Sequence, residues 1–316
     1  MTAEVLKQLR PRLEEARQRH RERFGAAVTD LTRKLSREQA FQLDLILSAP
    51  GFLEFQEAAG GDWKQALGRY LSDMQWVIWG DCELGPPLAL QCRAAEIALG
   101  VLAYLGARLM DDAIDGHHDY KGRTITFYGR ISEALADPRA ATATAAAGAY
   151  LVHEALRRLE KHGYRTSAET LRALYSKVFA GALAEALAER TQVSRDCYDA
   201  VVAHKAVAYD RLLHEVFFST CPRPLRARVI EVLARHSEIS QWLNDFQDEA
   251  DDFRRAQLSL LRVSGMDRER AEALIVSALA GLYRDCRRLP PALSDALSLR
   301  LLDSVTKFED ETGHGG

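Results

Sequence analysis

The sequence predicts an all-α protein folded as one helical bundle, and three observations carry that expectation. Apolar residues recur at helical spacing along most of the 316 residues. Convincing strands are missing: Thr124-Ile125-Thr126-Phe127-Tyr128 holds β-forming residues, but it is one short run with no partner. The breaks at Pro and Gly are short, with no internal repeat and no low-complexity linker, so a single domain over residues 1–316 is expected rather than two.

The elements follow in order. Residues 3 to 24 form a charged amphipathic pattern with Pro11 near its front, an N-terminal helix inside residues 1–24. Further helices are expected at 36 to 47, 52 to 59 and 62 to 79. Pro86-Pro87 breaks the chain before a long helix, Leu88 to Asp115, which Gly116 ends. Residues 116 to 129, rich in His, Gly, Lys and Arg, read as a loop. An alanine-rich helix at 139 to 160 precedes helices at 167 to 190, 195 to 219, 223 to 252, 267 to 286 and 292 to 310, and residues 311–316 are expected to fray.

Composition narrows the classes of function. Hydrophobic residues make up 47% and charged residues 28%, an ordinary soluble profile. The formal charge of −3 supplies no basic field for nucleic acid or anionic lipid. Five scattered cysteines without a CxxC or Cys/His zinc spacing read as free thiols in a reducing cytoplasm. The chain opens Met1-Thr2-Ala3-Glu4 with no apolar signal region. Its most apolar stretch, Ile97 to Met110, is interrupted by Arg108 and is too short to span a bilayer, so it reads as a buried core helix and no integral membrane segment is expected.

Two acidic clusters carry the chemistry. Asp111, Asp112 and Asp115 end the long apolar helix, with Asp111 and Asp115 four residues apart and therefore on one face. Like charges at that spacing repel, and the helix C-terminus already disfavours negative charge. A hard divalent cation relieves both penalties through oxygen ligation. A solvated helix end, with Asp112 paired to Arg108, is the plainer alternative. In the second cluster Asn244, Asp248 and Asp252 recur every four residues along one face, a stripe able to chelate Mg²⁺ with waters completing the octahedron, while Asp245, Glu249 and Asp251 point elsewhere and read as solvated. A third element places Tyr198 seven residues before Lys205, two turns along one face of an apolar helix; the lysine either snorkels to the surface or reaches a polar pocket.

Together these elements resemble the trans-isoprenyl diphosphate synthases, polyprenyl synthetase-like members of the class I terpenoid synthase superfamily, over roughly residues 60 to 290. Asp111-Asp112-x-x-Asp115 is similar to the family's DDxxD motif. Gln241-Trp242-Leu243 before Asn244-Asp245-x-x-Asp248 is similar to its second motif, and Tyr198 through Lys205 to its Tyr-x6-Lys element, with Ala206 in place of the usual Thr. The resemblance implies a helical bundle around a deep apolar cavity. It also implies that acidic helix ends at the mouth, with Lys205, bind three Mg²⁺ ions and a diphosphate. The reaction it implies is ionisation of an allylic prenyl diphosphate, and homodimers are usual among such proteins.

Departures from the pattern shape the expected activity. The Gly-Gly-Lys-Arg element that binds isopentenyl diphosphate is not reproduced; Gly68-Arg69 and Gly60-Gly61 with Lys64 lie nearby. Where tandem arginines precede a Gly, this chain has Tyr120-Lys121-Gly122-Arg123. Asn244, Asp248 and Asp252 also resemble the NDxxSxxxE metal motif of terpene synthases. The expected activity is therefore a terpene synthase acting on one prenyl diphosphate, by cyclisation, deprotonation or water capture. A prenyltransferase using isopentenyl diphosphate or another acceptor is the alternative, and a non-catalytic helical scaffold the third. Gly106 and Ala107, small residues before the first motif, imply either room for a substrate of about fifteen to twenty carbons or close helix packing. Arg108, Lys121, Arg123, Gln241 and Arg254 are the further substrate-binding candidates, with Arg195 as a second diphosphate sensor. His117 and His118 read as exposed, because Mg²⁺ prefers oxygen. Trp76, Trp79, Tyr104, Phe179, Phe217, Phe218 and Trp242 line the cavity or, as is usual for aromatics at helical spacing, fill the core.

Overall fold

Local chemistry sets the first elements in a computed structural model that describes residues 2–59, 62–74, 80–89, 93–116, 126–135, 139–188, 194–250, 258–263 and 265–312. Helix α1 (Thr2–Leu47) is continuous where the sequence suggested separate helices at 3–24 and 36–47. No proline lies between those segments, and Leu35, Leu43, Ile46 and Leu47 keep one buried stripe running to its end. Helix α2 (Pro50–Ala59) starts on a proline, whose missing N–H costs nothing there. Helix α3 (Trp63–Asp73) is capped by Asp62, which accepts from Gln65 N at 2.9 Å. It closes before the expected residue 79, with the Met74 N–H bonded to Tyr70 O, and residues 75–79 lie outside the described part.

Helix α4 (Ala94–Ile114) begins later than the expected Leu88. Pro86–Leu88 form a 3₁₀ turn and Ala89 is left-handed at φ 49°, which a right-handed helix cannot run through. The start of α4 is held by buried Glu96, which takes the Arg93 guanidinium at 3.3 Å and the Ser167 hydroxyl. Leu99, Leu102, Leu105 and Leu109 are each 0% exposed. Burial of each contributes about 1.5–3 kcal/mol. That outweighs carboxylates set against the helix dipole, at about 0.3–1 kcal/mol apiece. Core burial thus carries the first acidic cluster to its place.

Helix α5 (Phe127–Leu135) lies partly in the segment expected to be a loop to residue 129. The Thr126 hydroxyl accepts from Gly129 N at 3.0 Å and starts it, and Phe127 and Ile131 are buried one turn apart. Helices α6 (Ala140–Lys161) and α7 (Arg165–Ala188) fall close to their expected positions. Where the sequence suggested one helix from 195 to 219, there are α8 (Arg195–Val202), a π-helical turn (Ala203–Val207) and α9 (Ala208–Phe217). Helix α10 (Arg223–Gln247) ends five residues before the expected 252, its last turn closed by Asp248 N bonding to Asn244 O at 2.8 Å. A 3₁₀ turn (Leu260–Arg262) precedes α11 (Arg268–Cys286) and α12 (Pro291–Thr312).

No β-strand forms among the described residues, so the fold is all-α. Among them no helix is long and apolar enough to cross a membrane, and Cys82, Cys197, Cys221 and Cys286 are free thiols.

The chain divides into two compact units. One comprises Thr29–Cys82 and Gln91–Leu171, and its centre is the α4–α6 pair. Gly106 and Gly148 let these helices touch backbone to backbone. A Cβ on Gly106 would lie 2.7 Å from the Gly148 carbonyl oxygen, and one on Gly148 would lie 2.5 Å from that of Gly106. The other unit comprises Met1–Val28, Glu83–Leu90 and Arg172–Gly316, with α10 packed on α9, α11 and α12. Phe217, Phe218 and Trp242 belong to its core, as do Phe246 and Phe308, whose rings meet at 6.0 Å.

Candidate functional site

At the end of α4 the three acids part company. Asp112 is only 2% exposed, whereas Asp111 and Asp115 are half-buried. Asp112 Oδ1 lies 3.6 Å from Arg108 Nε, the i,i+4 pairing weighed for this residue. An aromatic wall from α3 and α5 stands nearby, with Phe127 5.6 Å from Trp63 and 5.8 Å from Tyr70 between ring centres. Burial first, then the negative charges of Asp112 and Asp111, push the Tyr70 phenol well above its usual range. Its hydroxyl has no hydrogen-bond partner among the described residues. Sequence reasoning missed Tyr70; its sign was an aromatic spaced for the core of α3.

Half-buried Asp111 and Asp115 bracket the last turn of α4, where Asp115 N bonds to Asp111 O at 2.9 Å. Among the described residues, Asp111 and Asp115 offer oxygen donors at this end. Such a set fits a hard divalent cation, and magnesium in particular is commonly held by one or two carboxylates plus substrate phosphate and water. No cluster of three or more His, Cys, Asp or Glu suited to a metal occurs among the described residues.

At the end of α10 the expected stripe is only partly described. Asn244 and Asp248 are half-buried and Asp252 lies outside the described residues. The Asn244 side-chain oxygen accepts from Lys307 Nζ of α12 at 2.5 Å. Asp245 corrects the expectation of a solvated acid: it is 4% exposed and accepts three hydrogen bonds. Tyr198 OH donates to Oδ2 at 2.5 Å, Leu260 N to Oδ2 at 2.8 Å and Gln241 Nε2 to Oδ1 at 2.6 Å. Burial pushes its carboxyl up to about 6 against the pull of those donors. Gln241, a substrate-binding candidate, is thus engaged in holding Asp245.

Lys205 lies in the π-helical turn, half-buried and paired with Glu185 of α7. Gly181, one turn earlier on α7, makes the approach possible, since a Cβ there would fall 2.6 Å from Lys205 N. Tyr198 and Lys205 bond to different neighbours, α10 and α7. The wide turn between them alters the helical phase. Arg195 pairs with Asp199 at 2.7 Å and its guanidinium stands 5.3 Å from the Trp242 ring centre, a bracing position.

No protein-family model matches the chain, and no curated protein matches it. Solved structures do. A decaprenyl diphosphate synthase from Rhodobacter capsulatus is similar with TM-score 0.65 and 15% identity, over 90% of this chain and 99% of that one. A polyprenyl synthase from Caulobacter crescentus CB15, complexed with calcium and isoprenyl diphosphate, is similar with TM-score 0.57 and 14% identity, over 88% and 97%.

The chain has the trans-isoprenyl diphosphate synthase fold.

Within that isoprenoid-synthase fold Gly106 sits at the crossing of α4 with α6, where its missing side chain serves helix packing, and Ala107 and Tyr104 are buried beside it. Phe179 is 45% exposed on α7. Lys121, Arg123, His117, His118, Arg254, Trp76 and Trp79 lie outside the described residues. Besides Tyr70, sequence reasoning missed Lys307, whose partner is 63 residues away in the chain.

Proposed function

We propose that the chain binds an allylic prenyl diphosphate and breaks its allylic C–O bond in a magnesium-dependent reaction. The observation that carries this reading is the pair of half-buried carboxylates, Asp111 and Asp115, at the end of the buried helix α4, on a fold whose solved examples include diphosphate synthases. Diphosphate leaves with the bonding electron pair, and an allylic cation remains. Magnesium, when bound, supplies positive charge that makes diphosphate a better leaving group.

The chain's own residues do the rest. Asp111 and Asp115, with Asn244, Asp248 and Asp252, are the oxygen ligands of the reading. Asp112 stays buried against Arg108 and fixes that guanidinium at the α4 end. Lys205, Lys121, Arg123 and Arg254 are the cationic groups assigned to the departing diphosphate. Apolar side chains exclude water from the cation. Asp245 holds Gln241 and Tyr198 rather than substrate.

The cation then cyclises, loses a proton or takes up water, which makes the protein a terpene synthase. The altered tandem-arginine element, Tyr120-Lys121-Gly122-Arg123, favours this outcome, because a second diphosphate requires converging cations. A second reading is favoured by the solved neighbours: a prenyltransferase in which the double bond of isopentenyl diphosphate, or another acceptor, attacks the cation and a proton is lost. Assembly as a homodimer in the cytoplasm goes with either.

Incubation with C10, C15 and C20 prenyl diphosphates and Mg²⁺, with and without isopentenyl diphosphate, separates these readings. A hydrocarbon or alcohol from one substrate alone supports the synthase. A longer diphosphate supports the transferase. Unchanged substrate in both arms overturns C–O cleavage with these partners and favours a helical scaffold.

A further inference from the structure

Helix α10 ends without a basic residue in its own last turn, and the carbonyl end of a helix attracts positive charge. That charge arrives from two neighbours: Arg268 of α11, 2.7 Å from Glu249 and 4.0 Å over the Phe246 ring, and Lys307 of α12. Lys307 Nζ donates to Asn244 Oδ1 at 2.5 Å, and its neighbours hold it there. Phe308, 0% exposed, packs on Phe246 with ring centres 6.0 Å apart, and Gln247 Nε2 donates to Glu311 Oε1 at 2.8 Å. Three successive contacts thus fix the register of α12 on the last turn of α10. Asp245, beside Asn244, is held by its own three donors, Tyr198, Gln241 and Leu260 N.

We infer that Lys307 is a tethered counter-ion for the second acidic cluster: its ammonium takes the Asn244 oxygen, and a divalent cation reaches that oxygen only by displacing it. The inference rests on reading Asn244 and Asp248 as cation ligands. An ammonium and a divalent ion on one amide oxygen repel each other. The lysine therefore weakens cation binding at the α10 end.

Manganese titration of the full chain, followed by the loss of free-ion electron paramagnetic resonance signal and without substrate, tests it. Lys307→Met is expected to bind one manganese ion at least about 10-fold more tightly than the unaltered chain, the scale of a lost charged hydrogen bond. Lys307→Arg keeps the weak binding, and adding Asn244→Ala to Lys307→Met removes the gain. Lys307→Gln repeats the test should the Met variant not fold, as circular dichroism reports. An isotherm of Lys307→Met or Lys307→Gln within about 2-fold of the unaltered chain, or a gain that survives Asn244→Ala, overturns the inference. Prenyl diphosphate turnover is measured apart. Turnover with an unchanged isotherm sinks the counter-ion and spares the activity, and a gained site without turnover does the reverse.

Discussion

Tyr198 donates its phenolic hydrogen to Asp245 Oδ2 at 2.5 Å, joining α8 to the last turn of α10. Both groups are buried, Tyr198 at 1% and Asp245 at 4% exposure. The pair ties the helix leading to Lys205 to the helix that presents Asn244.

Removing that donor leaves a buried carboxyl short of one partner. Tyr198→Phe is expected to lower stability by about 1.5–3 kcal/mol, the scale of a hydrogen bond to a charged group. Urea unfolding measures it. In a double-mutant cycle with Asp245→Asn the two losses are expected to be non-additive. A loss under about 0.5 kcal/mol removes the pair from the account of how α8 is held.

Asp111 is half-buried at a helix end, so its role and its contribution to folding separate cleanly. Asp111→Asn is expected to cut magnesium-dependent turnover at least about 100-fold, the scale of losing one charge-stabilising group. Helical content by circular dichroism stays unchanged, and stability moves by less than about 1 kcal/mol. Full turnover in the variant removes Asp111 from the ligand assignment.

Gly106 distinguishes packing from substrate room. A Cβ there meets Gly148 O at 2.7 Å and Val152 Cγ2 at 2.8 Å, and the backbone atom cannot yield without moving α6. Gly106→Ala is expected to destabilise by about 1–3 kcal/mol. Thermal unfolding checks this, and an unchanged midpoint shows that the helices stand further apart.

Acid sensitivity follows from His214, which is 4% exposed on α9. Burial first, then Arg300, pull its imidazole down to about 3 from the usual 6.5. The folded group stays neutral while the unfolded one takes up a proton, so the stability present above pH 6.5 is lost as pH falls toward 3. The slope is about 1.4 kcal/mol per pH unit, or about 2 kcal/mol between pH 6.5 and 5. Urea midpoints at pH 7.5 and 5 are expected to differ more for the unaltered chain than for His214→Phe. Equal differences exclude His214 as a source of the acid sensitivity.

Much of this was legible because helical periodicity is local. Glycine and proline marked the breaks, and carboxylates four apart declared their shared face. What escaped depended on partners distant in the chain. Asp245 is one residue off the Asn244–Asp248 stripe, about 100° round the helix. Whether that direction meets water or Tyr198 depends on packing 47 residues away. Lys307 was hidden for the same reason. Helix α5 was hidden by composition, since the polar residues before it masked Phe127, Ile131 and Leu135 at four-residue spacing. The π-helical turn left no sign in a stretch whose apolar spacing suits an ordinary helix.

The glycine contact between α4 and α6 gives the acids a remote neighbour. A Cβ on Gly148 would press Met110 Cγ at 2.8 Å and Leu109 Cβ at 3.0 Å, the residues just before Asp111. Variation at position 148 therefore shifts the carboxylates by leverage, without altering any group that carries charge. A search for variants with a changed appetite for metal should accordingly look beneath the acids, on the neighbouring helix, as well as among them.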